Sequence, residues 1–135
     1  MTPEQHASCV LTDSQRRVLL IHRNTPRLTE WELPGGKAHE GETAKDAAAR
    51  EALEELGVRV AVIDMLGSFD FKGNGRERTF HWFLARIVEG QPYPREDMHD
   101  RLGYFDLRRP TTVRQRLSTG TLALTKAIEN NRVQL

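Results

Sequence analysis

The sequence predicts a mixed α/β (α+β) fold, and three observations carry that reading. β-branched and aliphatic runs at residues 9–11 and 17–22 read as strands. Residues 44–56 carry helix signals at both ends. On either side of Gly73-Asn74-Gly75, Phe69, Phe71, Phe80, Trp82 and Leu84 alternate as sheet residues do.

Taken in order, residues 9–11 and 17–22 flank Thr12-Asp13-Ser14-Gln15, turn-forming residues that predict an antiparallel opening hairpin. Trp31-Glu32-Leu33 reads as a short strand stopped by Pro34-Gly35-Gly36, where two glycines permit backbone angles that other residues avoid, so a loop is expected to begin there. Thr43 with Asp46 three residues on resembles a capping box, and Gly57 suits the left-handed position after a last turn. Residues 58–63 and 65–71 are expected as two strands, and 76–88 as one long strand. Residues 103–105 read as a further short strand, with helices over 112–118 and 122–131 closing the chain.

The 135 residues suit one domain, 1–135, with no linker between composition regimes. A net charge of +1 gives no strong nucleic-acid signal. Cys9 is the only cysteine, which excludes an internal disulfide and a multi-thiolate zinc site, and suits a reducing cytoplasm. No run approaches the roughly 20 apolar residues of a membrane span or the apolar core of a signal peptide, so a soluble, unexported protein without a membrane partner is expected. A homodimer stays open.

The helix is where chemistry concentrates. At about 100° per residue, Glu51, Glu54 and Glu55 fall within an arc of about 100°, while Ala49, Ala52, Leu53 and Leu56 form an apolar stripe facing nearly the opposite way. Three like charges on one side destabilise a bare helix. Carboxylate clusters suit hard divalent cations such as Mg²⁺, which keep waters and substrate phosphates in their remaining sites.

The spacing Gly36, five residues, Glu42, seven residues, Arg50-Glu51, then Glu54-Glu55 and Gly57 with an apolar Val58 resembles the Nudix box, here residues 36–58. Seven identities at fixed spacing arise by chance on the order of once in 10⁹ evenly drawn positions. Ala52 departs mildly, standing where the family usually has a larger aliphatic residue.

The resemblance implies the Nudix fold, a mixed β-sheet sandwiched between α-helices, and metal-dependent hydrolysis of a nucleoside diphosphate linked to another group, with Mg²⁺ or Mn²⁺ bound. It makes Glu51, Glu54 and Glu55 metal ligands and catalytic residues, with the Gly36 carbonyl a further ligand. Arg50 would pair with Glu42 and support the site, and Glu96 would be a further catalytic acid from a later loop; Glu51 or Glu96 would accept the proton of the attacking water. Arg23 and Lys37 would bind substrate, whereas Arg76 and Arg78 read as exposed hairpin charges. The leading substrate is a nucleoside or deoxynucleoside triphosphate, as in MutT-like members. ADP-ribose or a dinucleoside polyphosphate is the alternative within the same chemistry, and a non-catalytic nucleotide-sensing module is the alternative outside it.

Other signals fail. Gly35-Gly36-Lys37 lacks the remainder of a P-loop, no HExxH or paired spacing joins His6, His22, His39, His81 and His99, and no GxSxG surrounds a serine. Arg108, Arg109, Arg114 and Arg116 read as a solvated helix face.

Overall fold

The computed structural model describes residues 2–109 and 116–135. Its elements run β1 (Glu4–Leu11), β2 (Val18–Asn24), β3 (Thr29–Glu32), β4 (Gly35–Lys37), α1 (Ala44–Leu56), β5 (Arg59–Gly73), β6 (Arg76–Glu89), β7 (His99–Phe105) and α2 (Thr119–Glu129). The strands form two sheets, one in the order β4-β1-β6-β5 and one in the order β3-β2-β7. Only β1 and β6 run parallel, which makes the larger sheet mixed. The mixed α+β class expected from the sequence is what forms, its strands divided between two sheets.

β2 shows why. Val18 and Leu20 join the cluster under α2, with Trp31, Trp82 and Leu124, while Leu19 and Ile21 join the cluster under α1, with Cys9, Ala48 and Leu56. A strand covered on both faces reads as a continuous apolar run, and that is its sequence. No helix among the described residues is long and apolar enough to cross a membrane.

The expected opening hairpin is not formed. β1 and β2 lie in different sheets, with a single ladder bridge between Thr12, just past β1, and Val18, because β6 and β4 occupy the two edges of β1. The turn itself is present: the Asp13 carboxylate accepts from the Gln15 and Arg17 amides at 2.9 Å. The two strands expected over 58–71 are one, β5, with register shifts between Val62 and Asp64 and between Met65 and Gly67 that read locally as a break. The β5–β6 turn is as expected, with Asn74 and Gly75 at φ 53° and 72°.

The loop expected at Gly35 is instead β4, paired antiparallel to β1 through Ser8↔Gly35 and His6↔Lys37. Neither Gly35 nor Gly36 has positive φ. They are glycines for close approach: a Cβ at Gly35 would collide with the Ala7 carbonyl, and one at Gly36 would lie 2.6 Å from Glu51 Oε1.

α1 begins and ends as its sequence dictates. The Thr43 hydroxyl accepts from the Asp46 amide at 3.1 Å, and Gly57, at φ 69°, donates to the Leu53 carbonyl. Its buried side differs from the expected stripe. Ala47, Ala48, Ala52, Glu55 and Leu56 face inward, and Leu53 is 39% exposed. The alanines let the helix approach so closely that Cys9 Sγ lies 3.3 Å from the Ala48 carbonyl oxygen. Of the helix expected over 112–118, residues 112–115 lie outside the described residues, as does Arg114; Leu117 bridges to Trp31 and Ser118 caps α2, which starts earlier than expected.

Removing the α1 cap by Thr43→Ala lowers stability by about 1 kcal/mol, a fall in Tm of roughly 3–6 °C, and Thr43→Ser preserves it. Thermal melts of the three proteins check this, and equal midpoints would contradict it.

Candidate active site

The site is assembled around one guanidinium. Arg50 donates from Nε and Nη2 to the Glu42 carboxylate at 2.8 and 3.0 Å, and from Nη1 to Glu51 Oε1 at 3.0 Å and Glu54 Oε2 at 3.1 Å. Nη2 also reaches the Lys37 carbonyl at 3.1 Å. The fork therefore fastens α1 to β4 and to the connection between them. Arg50 and the His39 amide hold the Glu42 carboxyl at a pKa of about 2, and the carboxylates raise that of Arg50.

Glu55 has no such partner. It is 4% exposed, and Oε1 accepts from the Gly35 amide at 2.7 Å. The nearest basic group, His99 Nε2, is 3.9 Å from Oε2. Burial pushes its pKa up to about 9, the Gly35 hydrogen bond opposes this, and the charges of Glu51, Glu32 and Glu96 add to the rise. Burial also raises the pKa of Glu51, against the pull of Arg50. Glu54 remains 48% exposed. Each of the three carboxylates keeps one oxygen that accepts no hydrogen bond among the described residues: Glu51 Oε2, Glu54 Oε1 and Glu55 Oε2.

Glu96 reaches this group through the 90–98 connection, which docks on the end of α1 by Tyr93 N–H to the Leu56 carbonyl and Arg95 N–H to the Glu55 carbonyl. Ligand atoms of Glu55, Glu96 and His99 lie within 4.8 Å of one another, a group able to hold a metal ion. His99 is the residue that sequence reasoning set aside. Its partners come from α1 and from the connection before β7, so no local spacing could have announced it.

Beside the carboxylates a cleft of about 310 Å³ opens between the two sheets and the start of α2. Arg23, Lys37, Gly36, Arg78 and Phe80 line it. Arg23 Nε donates to Glu32 Oε1 at 2.8 Å, and His99 Nε2 lies 3.0 Å from that same oxygen, so Glu32 ties the cleft arginine to the neighbourhood of Glu55. Lys37 is 60% exposed and 3.7 Å from Glu4. Arg76 bonds Glu4, as a hairpin charge should, whereas Arg78 turns into the cleft. A larger cavity, about 960 Å³, lies between β5 and α2, but no described carboxylate lines it.

The arrangement can hold a cation against buried carboxylates and present cationic side chains to an anionic ligand alongside. Known proteins resemble the chain over most of its length. The NUDIX domain model matches residues 2–121. The chain is 34% identical over 116 residues to the mouse oxidized purine nucleoside triphosphate hydrolase, covering 79% of this chain and 74% of that protein. It is also 34% identical over 87 residues to a putative 8-oxo-dGTP diphosphatase of Bacillus subtilis, covering 64% of this chain and 56% of that one. The crystal structure of a MutT NUDIX hydrolase from Burkholderia pseudomallei superposes with a TM-score of 0.80 at 30% identity, over 93% of this chain and 98% of that one. A match across nearly the whole sequence, on a fold that carries the box carboxylates into one site, places the chain in the Nudix hydrolase family.

Proposed function

We propose that this protein is a divalent-metal-dependent pyrophosphohydrolase of nucleoside or deoxynucleoside triphosphates, releasing the monophosphate and pyrophosphate. The observation that carries the reading is Glu55: a carboxylate almost wholly buried without a matched counter-charge, next to a cleft lined by Arg23 and Lys37. Isolated buried charges are costly unless paired or bound to metal. The names of the mouse and Bacillus relatives support a triphosphate substrate.

The donor set fits Mg²⁺ or Mn²⁺. Glu51, Glu54 and Glu55 each offer an unbonded oxygen, and the Gly36 carbonyl and Glu96 would complete the set. When bound, such a cation neutralises phosphate charge and acidifies nearby water. The chain's own residues do the rest. Arg50, anchored on Glu42, keeps Glu51 and Glu54 aligned along α1, and the Gly35 amide holds Glu55. Arg23, held by Glu32, and Lys37 bind phosphate oxygens. Glu51 accepts the proton of the attacking water: burial raises its pKa and so favours proton uptake, while Arg50 holds its carboxylate in place. The buried Cys9 thiol suits a reducing cytoplasm.

A panel of nucleoside triphosphates incubated with Mg²⁺ or Mn²⁺ tests the reading. Pyrophosphate and monophosphate are the expected products, and Glu54→Gln and Glu55→Gln each lower kcat by at least about 10²-fold, because several kcal/mol of charge stabilisation is lost. Orthophosphate as the sole product, or unchanged turnover in both variants, would overturn it.

Stability of the metal-free protein provides a second test. The folded pKa of Glu55, about 9, lies above the ordinary value of 4.5, so between these pH values the folded state holds more protons than the unfolded one. The stability that Glu55 contributes is fully present below pH 4.5 and declines as pH rises toward 9. In chelator at pH 8, Glu55→Gln therefore melts roughly several degrees above the parent, a gap that closes near pH 4.5. A parent that melts higher than the variant at pH 8 would contradict the assignment.

A further inference from the structure

One cation that lines the cleft, Arg78, makes no hydrogen bond among the described residues. Arg78 stands on β6 between two rings, with its guanidinium carbon 5.0 Å from the centre of Phe71 and 5.4 Å from the centre of Phe80. Its Nε is buried and has no hydrogen-bond partner, and among the described residues it pairs with no carboxylate. The nearest candidate, Glu4, lies directly across on β1, but Arg76 and His6 already bond its Oε1, at 2.5 and 3.3 Å. Leaving a buried N–H unsatisfied costs free energy. The two aromatic faces compensate part of that cost and fix the plane in which the donors lie.

The position says what the donors await. In the larger sheet Lys37, His6 and Phe80 form one row across β4, β1 and β6, and Arg78 stands two residues beyond it, opposite Glu4 and Phe71. β6 is two strand spacings, about 10 Å, from β4, and packing against Phe71 leans the side chain toward β5. A ligand whose phosphates lie beside Gly36 and α1 therefore meets Arg78 with its other end, which in a nucleotide is the base. A planar guanidinium offers paired in-plane donors, which match two adjacent acceptors on a base edge, such as the O6 and N7 of guanine. Adenine presents an amino donor in place of O6 and is disfavoured there.

We infer that Arg78 is a specificity-determining residue of this site, donating to the carbonyl-bearing edge of a purine and favouring guanine-type over adenine-type nucleotides. The inference rests on the triphosphate reading above. Arg78→Met is expected to raise KM for dGTP about tenfold or more, to leave KM for dATP within about twofold, and to leave kcat unchanged. Arg78→Lys keeps the charge without the fork and is expected to retain the dGTP defect; it also decides the matter should the Met variant show no cooperative melt. Equal losses with dATP or with an abasic deoxyribose triphosphate, no change with dGTP, or full rescue by lysine would each overturn the assignment.

Calorimetric titration of dGMP and dAMP into the metal-free protein separates this inference from the hydrolase reading, since it needs no turnover. A parent that hydrolyses no triphosphate would sink the hydrolase reading alone. A dGMP preference in the parent that disappears in Arg78→Met would still support Arg78, and the absence of any preference would refute it.

Discussion

The site depends on a carboxylate kept almost wholly out of water. Glu55 sits on the same side of α1 as Ala47, Ala48, Ala52 and Leu56, and its one strong contact is the Gly35 amide. Everything around it follows from that placement. The alanines bring α1 down onto β1, the absence of a Cβ at Gly35 and Gly36 lets β4 pass under the carboxylates, and the 90–98 connection adds Glu96 by bonding to the exposed carbonyls at the end of α1. Apolar packing stabilises the helix position, and that position destabilises the ionised form of Glu55. The fold thereby gives up some stability to hold an acidic site in place.

Arg50 solves a different part of the same problem. Glu51 and Glu54 would repel each other on a bare helix, and a single guanidinium between them, anchored on Glu42 and the Lys37 carbonyl, fixes both side chains. Lysine could not satisfy five acceptor atoms on four residues with one ammonium. The cleft shows the same logic at a distance: Glu32 shares one oxygen between Arg23 and His99, which couples the cleft-lining arginine to the carboxylate end of the site.

How much of this could be read beforehand depended on whether the information was local. The cap at Thr43, the left-handed Gly57, the Asn74-Gly75 turn and the box spacing are short-range features, and each stands where its residues indicate. Strand pairing is not local, so β1 and β2 looked like a hairpin although β6 and β4 occupy the edges of β1. The helical wheel misplaced Glu55 for a simpler reason. Ala47 and Ala48, at about 320° and 60° on the scale that sets Glu51 to zero, belong to the buried side and shift its centre past Glu55 at about 40°. Leu53, at about 200°, is left outside. The settings of His99 and Arg78 were illegible because they depend on neighbours from other elements: Glu55 of α1 for one, and Phe71 of β5 for the other.

The central claim is that burial keeps Glu55 protonated until a divalent cation arrives. Titration of Mn²⁺ into the protein at pH 7.5, repeated in buffers of different ionisation enthalpy, counts the protons released on binding. The account predicts tight uptake with about one proton released per ion in the parent, and weakened uptake with close to none in Glu55→Gln. Uptake without proton release in the parent, or no uptake at all, would contradict it.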